Sequence, residues 1–331
     1  MNSFYPLKVS QIRALTTNAV ELKFEIPSDL ESKFNFKAGQ YITIKQNISG
    51  EEVRRSYSIC SSNTEGICVG VKRVEGGKMS SFLTTNIKEG DILEVMPPTG
   101  NFVLHGKNVI GICAGSGITP IISMIKTHDS NFTLIYGNQT ISSTMFYSDI
   151  KRLNINTHFV FSREKVEGEK EGRIDRNMLD TFSDQILSAD AYFICGPGEM
   201  IDTVSAFLLK KGIEKSKIHF ERFTASKKQK ETEQTKEITS NVMVSIDGDD
   251  FEFQLSSNGK SILDAAMDAG ADVPFSCKGA VCCTCKAKVM EGKAIMDKNF
   301  SLSDEEVAQG YILTCQSHPT SENIVVDYDE M

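Results

Sequence analysis

The stretch SCKGAVCCTCKA, residues 276–287, places Cys277, Cys282, Cys283 and Cys285 within nine positions. A metal centre, a disulfide knot and a patch of buried thiols are the chemistries that accept such a cluster. The chain has nine cysteines, an odd number, and its opening residues MNSFYPLKVSQIR lack the apolar core of a secretion signal. A reducing compartment is expected, where clustered cysteines point to metal or redox chemistry rather than disulfides. Cys315 follows thirty residues after Cys285. Choosing Cys277, Cys282, Cys285 and Cys315 gives C-x4-C-x2-C-x29-C, three ligands on a tight loop and a fourth from far along the chain. That spacing suits a [2Fe–2S] cluster, whose irons are held by four thiolates. A four-cysteine zinc site is the competing reading, but it usually shows two C-x2-C pairs, and here there is one. Small residues, Gly279 and Ala280, stand where the loop backbone has to approach the metal. Cys283 is left over as a bystander.

Resemblance supports the iron–sulfur reading. Residues 240–331 resemble a plant-type ferredoxin domain over nearly their full length. VPFSCKGAVCCTCKAKVMEG (273–292) corresponds to its cluster loop and LSDEEVAQGYILTCQSHP (302–319) to its fourth-ligand segment. Val281 and Cys283 depart from the family pattern and spare all four ligands. The resemblance implies an α+β, β-grasp fold. The residues themselves read as a hairpin over NVMVSIDGDDFEFQL (241–255) with a Gly-Asp turn, then a short amphipathic helix in SILDAAMDAG (261–270).

Charge is unevenly distributed. Residues 241–331 hold 16 Asp/Glu against 6 Lys/Arg, while the rest of the chain holds 28 against 30. An acidic C-terminal third argues against nucleic-acid binding and offers a docking face for a basic partner, or solubility alone. The uncharged run from Asn108 to Ile125 is interrupted by Gly111, Gly115, Gly117 and Pro120, so no continuous apolar span is expected. The reading is a cytoplasmic protein that does not enter a membrane.

Upstream of the ferredoxin-like region, SKKQKETEQTKE (226–237) has no apolar residue and reads as a solvated linker, assigned to 226–239. Residues 1–103 are rich in short β runs, AVELKFEI, QYITIKQ, RRSYSIC, GICVGVKRV and DILEVMPP, separated by turn residues. An antiparallel β-barrel is expected there. From 104 to 225 strands alternate with helices: NVIGICAG, NFTLIYGN, THFVFSRE, AYFICG and KIHFERF are the strands. Helices are expected over ITPIISMIKTH, about 144–153, around Met178, and over PGEMIDTVSAFLLKKG. That alternation implies a doubly wound α/β domain with a parallel sheet.

Two strand-to-helix turns in this second region carry glycines: AGSGITP (114–120) and CGPGEM (195–200). Such turns let a backbone come close to a pyrophosphate at a helix N-terminus. Gly115 and Thr119 mark the first turn, with Thr119 expected as N-cap and Pro120 as the first helical residue. Cys195, Gly196 and Pro197 mark the second. In the barrel region, RRSYS (54–58) puts a cation, a phenol and a hydroxyl on one strand, and GGKMSSFL (76–83) is a glycine-rich entry to a helix.

RSYS, GGKMSS, PPTGNF, AGSGITP and CGPGEM occur in the order found in the ferredoxin–NADP reductase superfamily, and residues 1–225 resemble that family throughout. By its pattern Arg55, Tyr57 and Ser58 contact a flavin, Arg55 through the phosphate. Lys72 and the turn with Gly77, Met79, Ser80 and Ser81 hold its ribityl-pyrophosphate part. Thr119 and Cys195 lie near the nicotinamide and Phe223 near the flavin ring. FAD is implied in preference to FMN by the GGKMSS turn.

Ser162 and Arg163 follow the third strand of the nucleotide domain, where an arginine accommodates the 2′-phosphate of NADPH and an acidic residue would bind the ribose of NADH. Gln139 after YGN lacks the basic residue common in NADPH-using relatives, so NADH stays open. The domain order resembles that of oxygenase reductases, including those of ring-hydroxylating and steroid oxygenases. It implies an NAD(P)H-dependent electron-transfer enzyme with an oxygenase component as acceptor. No Ser/His/Asp or paired-carboxylate site is evident. A non-enzymatic iron–sulfur sensor or scaffold, and a flavin reductase with a vestigial cluster, are the alternatives.

Overall fold

The computed structural model describes residues 4–128, 131–224 and 237–330. It divides into two compact units, Phe4–Phe223 and the chain from Thr224 onward.

The first unit begins with six strands, β1 (Tyr5–Thr16), β2 (Ala19–Glu25), β3 (Tyr41–Ile48), β4 (Glu51–Ser58), β5 (Cys68–Lys72) and β6 (Ile92–Thr99). They form an antiparallel sheet in the order β4-β3-β6-β1-β2-β5. Its edges meet: Ile59, just past β4, bridges Val69 of β5, and the Cys60 N–H donates to the Cys68 carbonyl at 2.8 Å. Closure removes both edges and encloses Leu7, Leu22, Ile42, Ile44, Val69 and Val95. The β3–β4 hairpin turns at Ser49 and Gly50, both with positive φ, as a tight two-residue turn requires. Helix α1 (Lys78–Thr85) sends Met79 and Leu83 into the barrel core. The longest strand, β1, alternates between buried and open positions only over Leu7–Val9 and has little periodicity to betray it in the sequence.

The same unit continues with β7 (Val109–Ala114), β8 (Phe132–Asn138), β9 (Asn156–Phe161), β10 (Lys170–Glu171), β11 (Ala191–Cys195) and β12 (Ile218–Glu221). All pair in parallel, in the order β10-β9-β8-β7-β11-β12. Helices α2 (Ile118–Thr127), α3 (Tyr147–Arg152), α4 (Arg176–Asp180), α5 (Ser183–Ile186) and α6 (Gly198–Lys210) connect them. Val109 and Cys113 of β7 join the core that holds α2; Ile110 and Ile112 join the core that holds α6. The alternation along one strand therefore serves two apolar faces, which makes the sheet doubly wound. Helix α3 starts later than expected because Phe146 adopts a left-handed conformation, φ 59°.

The core around α2 is shared with the barrel: Ala19, Ala38, Cys60, Cys68 and Phe102 pack with Ile118, Ile121, Ile122 and Met124. Across the same seam the buried Ser123 hydroxyl donates to the Ser61 carbonyl at 2.6 Å, and Arg13 pairs with Glu21 at 2.7 Å and Asp149 at 2.9 Å.

The second unit holds β13 (Thr239–Ile246), β14 (Asp249–Ser256), α7 (Ile262–Asp268), β15 (Lys286–Glu291), β16 (Ala294–Met296), α8 (Asp304–Ala308), β17 (Tyr311–Leu313), β18 (Ser317–Pro319) and β19 (Asn323–Asp327). The sheet order is β14-β13-β19-β15-β17, with β13 and β19 parallel, beside a small β16–β18 ladder. Val242, Val244, Ile324, Val326 and Tyr328 pack against Ile262, Leu263 and Ala266 of α7, a β-grasp arrangement. The hairpin turns on Asp247 and Gly248, both at positive φ, one residue earlier than the Gly-Asp turn expected. The Asp329 carboxylate accepts both N–H groups of that turn, at 3.0 and 3.1 Å. Of the linker expected over 226–239, residues 226–236 lie outside the described residues, and Thr239 already belongs to β13. Among the described residues no helix is long and apolar enough to cross a membrane.

Candidate functional site

In the second unit the four cysteines chosen by spacing come together two by two. Cys282 donates to Cys277 Sγ at 3.1 Å, and Cys285 is hydrogen-bonded to Cys315. Two pairs are what two irons require, each taking two cysteines. Cys282, Cys285 and Cys315 are buried and Cys277 is half-buried. The loop reaches this arrangement by placing Lys278 (φ 47°) and Ala280 (φ 62°) in the left-handed region, which turns successive N–H groups inward. The Gly279 N–H donates to Cys277 Sγ at 3.3 Å, joined by those of Val281 and Cys282, while the Ala280 N–H serves Cys315. The Cys282 thiol and these backbone donors hold Cys277 below the ordinary thiol range, against the opposing effect of burial. An anion-stabilising nest around sulfur fits the donor set of a thiolate-bound cluster. Cys283 turns away, its thiol directed to the Ser301 carbonyl at 3.4 Å. Thr314 donates to the Cys285 carbonyl at 3.0 Å and accepts from the buried Tyr328 hydroxyl at 2.7 Å, so the segment carrying Cys315 is tied to the core.

In the first unit the two glycine turns sit at the carboxyl ends of β7 and β11, neighbours in the sheet where its order reverses. That reversal is where open α/β sheets form a crevice for nucleotides. The turns abut. A methyl group on Gly117 would lie 2.1 Å from the Cys195 carbonyl oxygen, and one on Gly196 would lie 2.8 Å from the end of Met200. Tyr136, fully buried, donates to the Gly115 carbonyl at 2.9 Å and braces the first turn from below. Lys72, at the end of β5, brings its ammonium to within 3.9 Å of the place a Gly115 side chain would begin. The barrel's cation therefore lies close to the first glycine turn.

Thr119 is not the helix cap. Gly117 is the N-cap residue, without a side-chain bond, and Pro120 is the third helical residue. Thr119 is buried, donates to the Ser116 carbonyl at 3.0 Å, and its methyl packs where Gly70 of β5 leaves room, 2.7 Å from the position of a missing side chain. Arg55 is exposed on β4 and donates to the Arg54 carbonyl at 2.7 Å; Tyr57 is half-buried, and burial pushes its phenol up against the pull of Arg55. Gly77 precedes α1, Ser81 is half-buried on it, Met79 is in the barrel core, and the Ser80 hydroxyl accepts from the Val74 N–H at 3.1 Å. Ser162 and Arg163 donate their N–H groups to the Asn138 and Gln139 carbonyls at the ends of β8 and β9, leaving the Arg163 side chain exposed. The adjacent Glu164 carboxylate accepts from the Ile141 N–H at 2.7 Å.

The sequence does not single out Glu221. In HFERF, two positions before Phe223, it lies beside Cys195 in the β11–β12 register, and Ser58 Oγ donates to its carboxylate at 3.2 Å. Burial pushes Glu221 up to about 8, with the Ser58 bond opposing. Burial, with Glu221 and Cys113 adding, also holds the Cys195 thiol neutral. Ser58, Cys195 and Glu221 thus form a polar group where the barrel meets the carboxyl ends of the sheet. Phe223 is exposed next to it, and Pro197 opens α6.

Three family models match the chain: an oxidoreductase FAD-binding domain over residues 6–104, an oxidoreductase NAD-binding domain over 112–206, and a 2Fe-2S iron-sulfur cluster binding domain over 244–320. A component of the 1,2-phenylacetyl-CoA epoxidase of Escherichia coli (strain K12) is 39% identical across 99% of both chains. The chain belongs to the ferredoxin–NADP reductase family, in the form that carries a C-terminal [2Fe–2S] domain. The 3-ketosteroid-9-alpha-monooxygenase ferredoxin reductase component of Rhodococcus rhodochrous is 30% identical over 97% of this reductase and 96% of its own length. Among solved structures, phthalate dioxygenase reductase matches 98% of both chains at 25% identity with a TM-score of 0.61. The protein is therefore an oxidoreductase using NAD(P)H, FAD and a [2Fe–2S] cluster, which sets aside a four-cysteine zinc site and a non-enzymatic sensor.

Proposed function

We propose that this reductase carries electrons from NADPH through FAD and its [2Fe–2S] cluster to the oxygenase component of a phenylacetyl-CoA epoxidase. The observation that carries this reading is 39% identity over 99% of both chains with a component of that system. The flavin and the cluster, when bound, supply the conversion of a hydride's electron pair into single electrons. The protein's part is placement. Arg55 takes the flavin phosphate, Tyr57 lies along its ring, and Ser58 and Phe223 border it. Lys72, Gly77 and the Met79–Ser81 turn hold its pyrophosphate side. The abutting turns at Gly115 and at Cys195–Pro197 receive the coenzyme, with Thr119 packing the first of them against the barrel. The four cysteines Cys277, Cys282, Cys285 and Cys315 hold the irons.

NADPH is preferred over NADH in this reading because Arg163 follows the third strand of the nucleotide domain and exposes a guanidinium, the group suited to a 2′-phosphate. The acidic excess of residues 241–331 serves as the docking face for the oxygenase.

The test is reconstitution. Purified reductase, NADPH and the oxygenase component of a phenylacetyl-CoA epoxidase are expected to oxidise phenylacetyl-CoA, with a rate that falls as salt screens the docking face. Rapid cytochrome c reduction without any phenylacetyl-CoA turnover would transfer the assignment to another oxygenase. A steroid or ring-hydroxylating system is then the next candidate, on the strength of the 30% identity with the ketosteroid monooxygenase reductase.

A further inference from the structure

The segment Asn299–Ser301 lies sixteen residues beyond Cys283 yet grips the cluster loop from outside. Ser301 Oγ stands 3.1 Å from the Cys282 carbonyl and 3.3 Å from the Ala280 carbonyl, so one hydroxyl proton is shared between two loop carbonyls. The Phe300 N–H donates to the same Ala280 carbonyl at 3.1 Å. The Cys283 thiol closes the clamp on the Ser301 carbonyl at 3.4 Å. Asn299 presets the strap: its Oδ1 accepts from the Ser301 and Leu302 N–H groups at 3.2 and 2.9 Å.

The geometry gives this clamp a consequence at sulfur. In a trans peptide the C=O of one residue and the N–H of the next point in opposite directions. Pulling the Ala280 carbonyl outward therefore turns the Val281 N–H inward, where it is hydrogen-bonded to Cys277. Pulling the Cys282 carbonyl outward fixes the following peptide in the same sense. The loop needs this restraint because Ala280 is buried with φ 62°, a conformation that costs a non-glycine residue about 1 kcal/mol or more and reverts unless its surroundings hold it.

We propose that Ser301 is a positioning residue for the [2Fe–2S] site, holding the Ala280 and Cys282 carbonyls outward so that loop N–H groups stay aimed at the cluster sulfurs and set its reduction potential. N–H donors to sulfur stabilise the more negative, reduced cluster, so loosening the clamp lowers the potential. The inference rests on the cluster ligands and is independent of which oxygenase receives the electrons.

The experiment is a redox titration of the full-length holoprotein, followed by visible absorbance and the spin signal of the reduced cluster, on Ser301→Thr and Ser301→Val. The two side chains have nearly the same size and differ in the hydroxyl. Ser301→Thr is expected to keep the wild-type potential. Ser301→Val is expected to shift the reduced-to-oxidised ratio at fixed ambient potential about tenfold toward oxidised, which is 59 mV for one electron. It should also bleach faster in the presence of a ferrous chelator. Failure of the Val variant to retain a cluster while Thr retains it supports the same conclusion. Equal potentials and equal bleaching rates in Val and Thr, or equal loss of the cluster from both, would overturn it.

Discussion

Ser58 Oγ of the barrel donates to Glu221 Oε2 of the parallel-sheet region at 3.2 Å, joining a barrel hydroxyl to a carboxyl raised to about 8. Burial raises Glu221 from an ordinary value of 4.5, so between about pH 4.5 and 8 the folded chain keeps a proton that the unfolded chain has released. The unfolded state binds fewer protons in that window, and stability falls as pH rises through it, levelling off above 8. Glu221→Gln retains an acceptor for Ser58 and removes the titration. Thermal unfolding of the FAD-loaded protein should show the variant stabilised at pH 8, by on the order of a few kcal/mol, and matched to wild type at pH 4.5. Parallel pH profiles for the two proteins would contradict the assignment.

The approach of Gly117 to the Cys195 carbonyl leaves no room for a side chain, and the obstacle is backbone, which cannot swing aside. Gly117→Ala should destabilise the flavin and nucleotide unit by about 1–3 kcal/mol and weaken coenzyme binding. Calorimetry and coenzyme titration read the two effects separately. An unchanged melting temperature would mean that the turns can separate at little cost.

Cys282→Ser removes one member of a thiol pair at 3.1 Å. The visible absorption of the cluster should disappear and NADPH-driven cytochrome c reduction should fall to background, while stopped-flow reduction of FAD by NADPH persists. Retention of cytochrome c reduction would indicate a flavin reductase with a vestigial cluster.

Arg163→Ala tests coenzyme choice. Loss of a charge-assisted contact to a 2′-phosphate is worth about 1.5–3 kcal/mol, which corresponds to a KM for NADPH raised roughly ten- to a hundredfold. The KM for NADH should not move. A parallel rise for both coenzymes would place Arg163 on a phosphate that they share.

Chemistry that depends on spacing along the chain is legible in the order of the residues. Cys277, Cys282, Cys285 and Cys315 are set apart by sequence distance, and the glycine turns announce themselves by residue type. Chemistry that depends on register is not legible in this way. Glu221 gains its neighbours because β12 pairs in parallel with β11 and because Ser58 arrives from the barrel, and neither fact leaves a mark on the local sequence HFERF. Thr119 has the position of a cap, directly before Pro120, yet the helix starts earlier and Thr119 packs against Gly70 from a distant strand. Ser301 lies between Phe300 and Leu302 with no motif to mark it, and only the fold brings its hydroxyl to the Ala280 and Cys282 carbonyls.

The buried seam that joins the barrel to the parallel sheet bears on how such reductases can be rebuilt. Ala19, Cys60 and Phe102 of the barrel side share one buried core with α2 and Phe193, and Ser61, Asp149 and Glu221 have partners across that boundary. A chimera that replaced the coenzyme-binding half alone would inherit mismatched surfaces on both sides of the cut. The core of residues 242–328 is drawn entirely from its own segment. For recombination, then, the chain offers two self-contained cores to exchange rather than three.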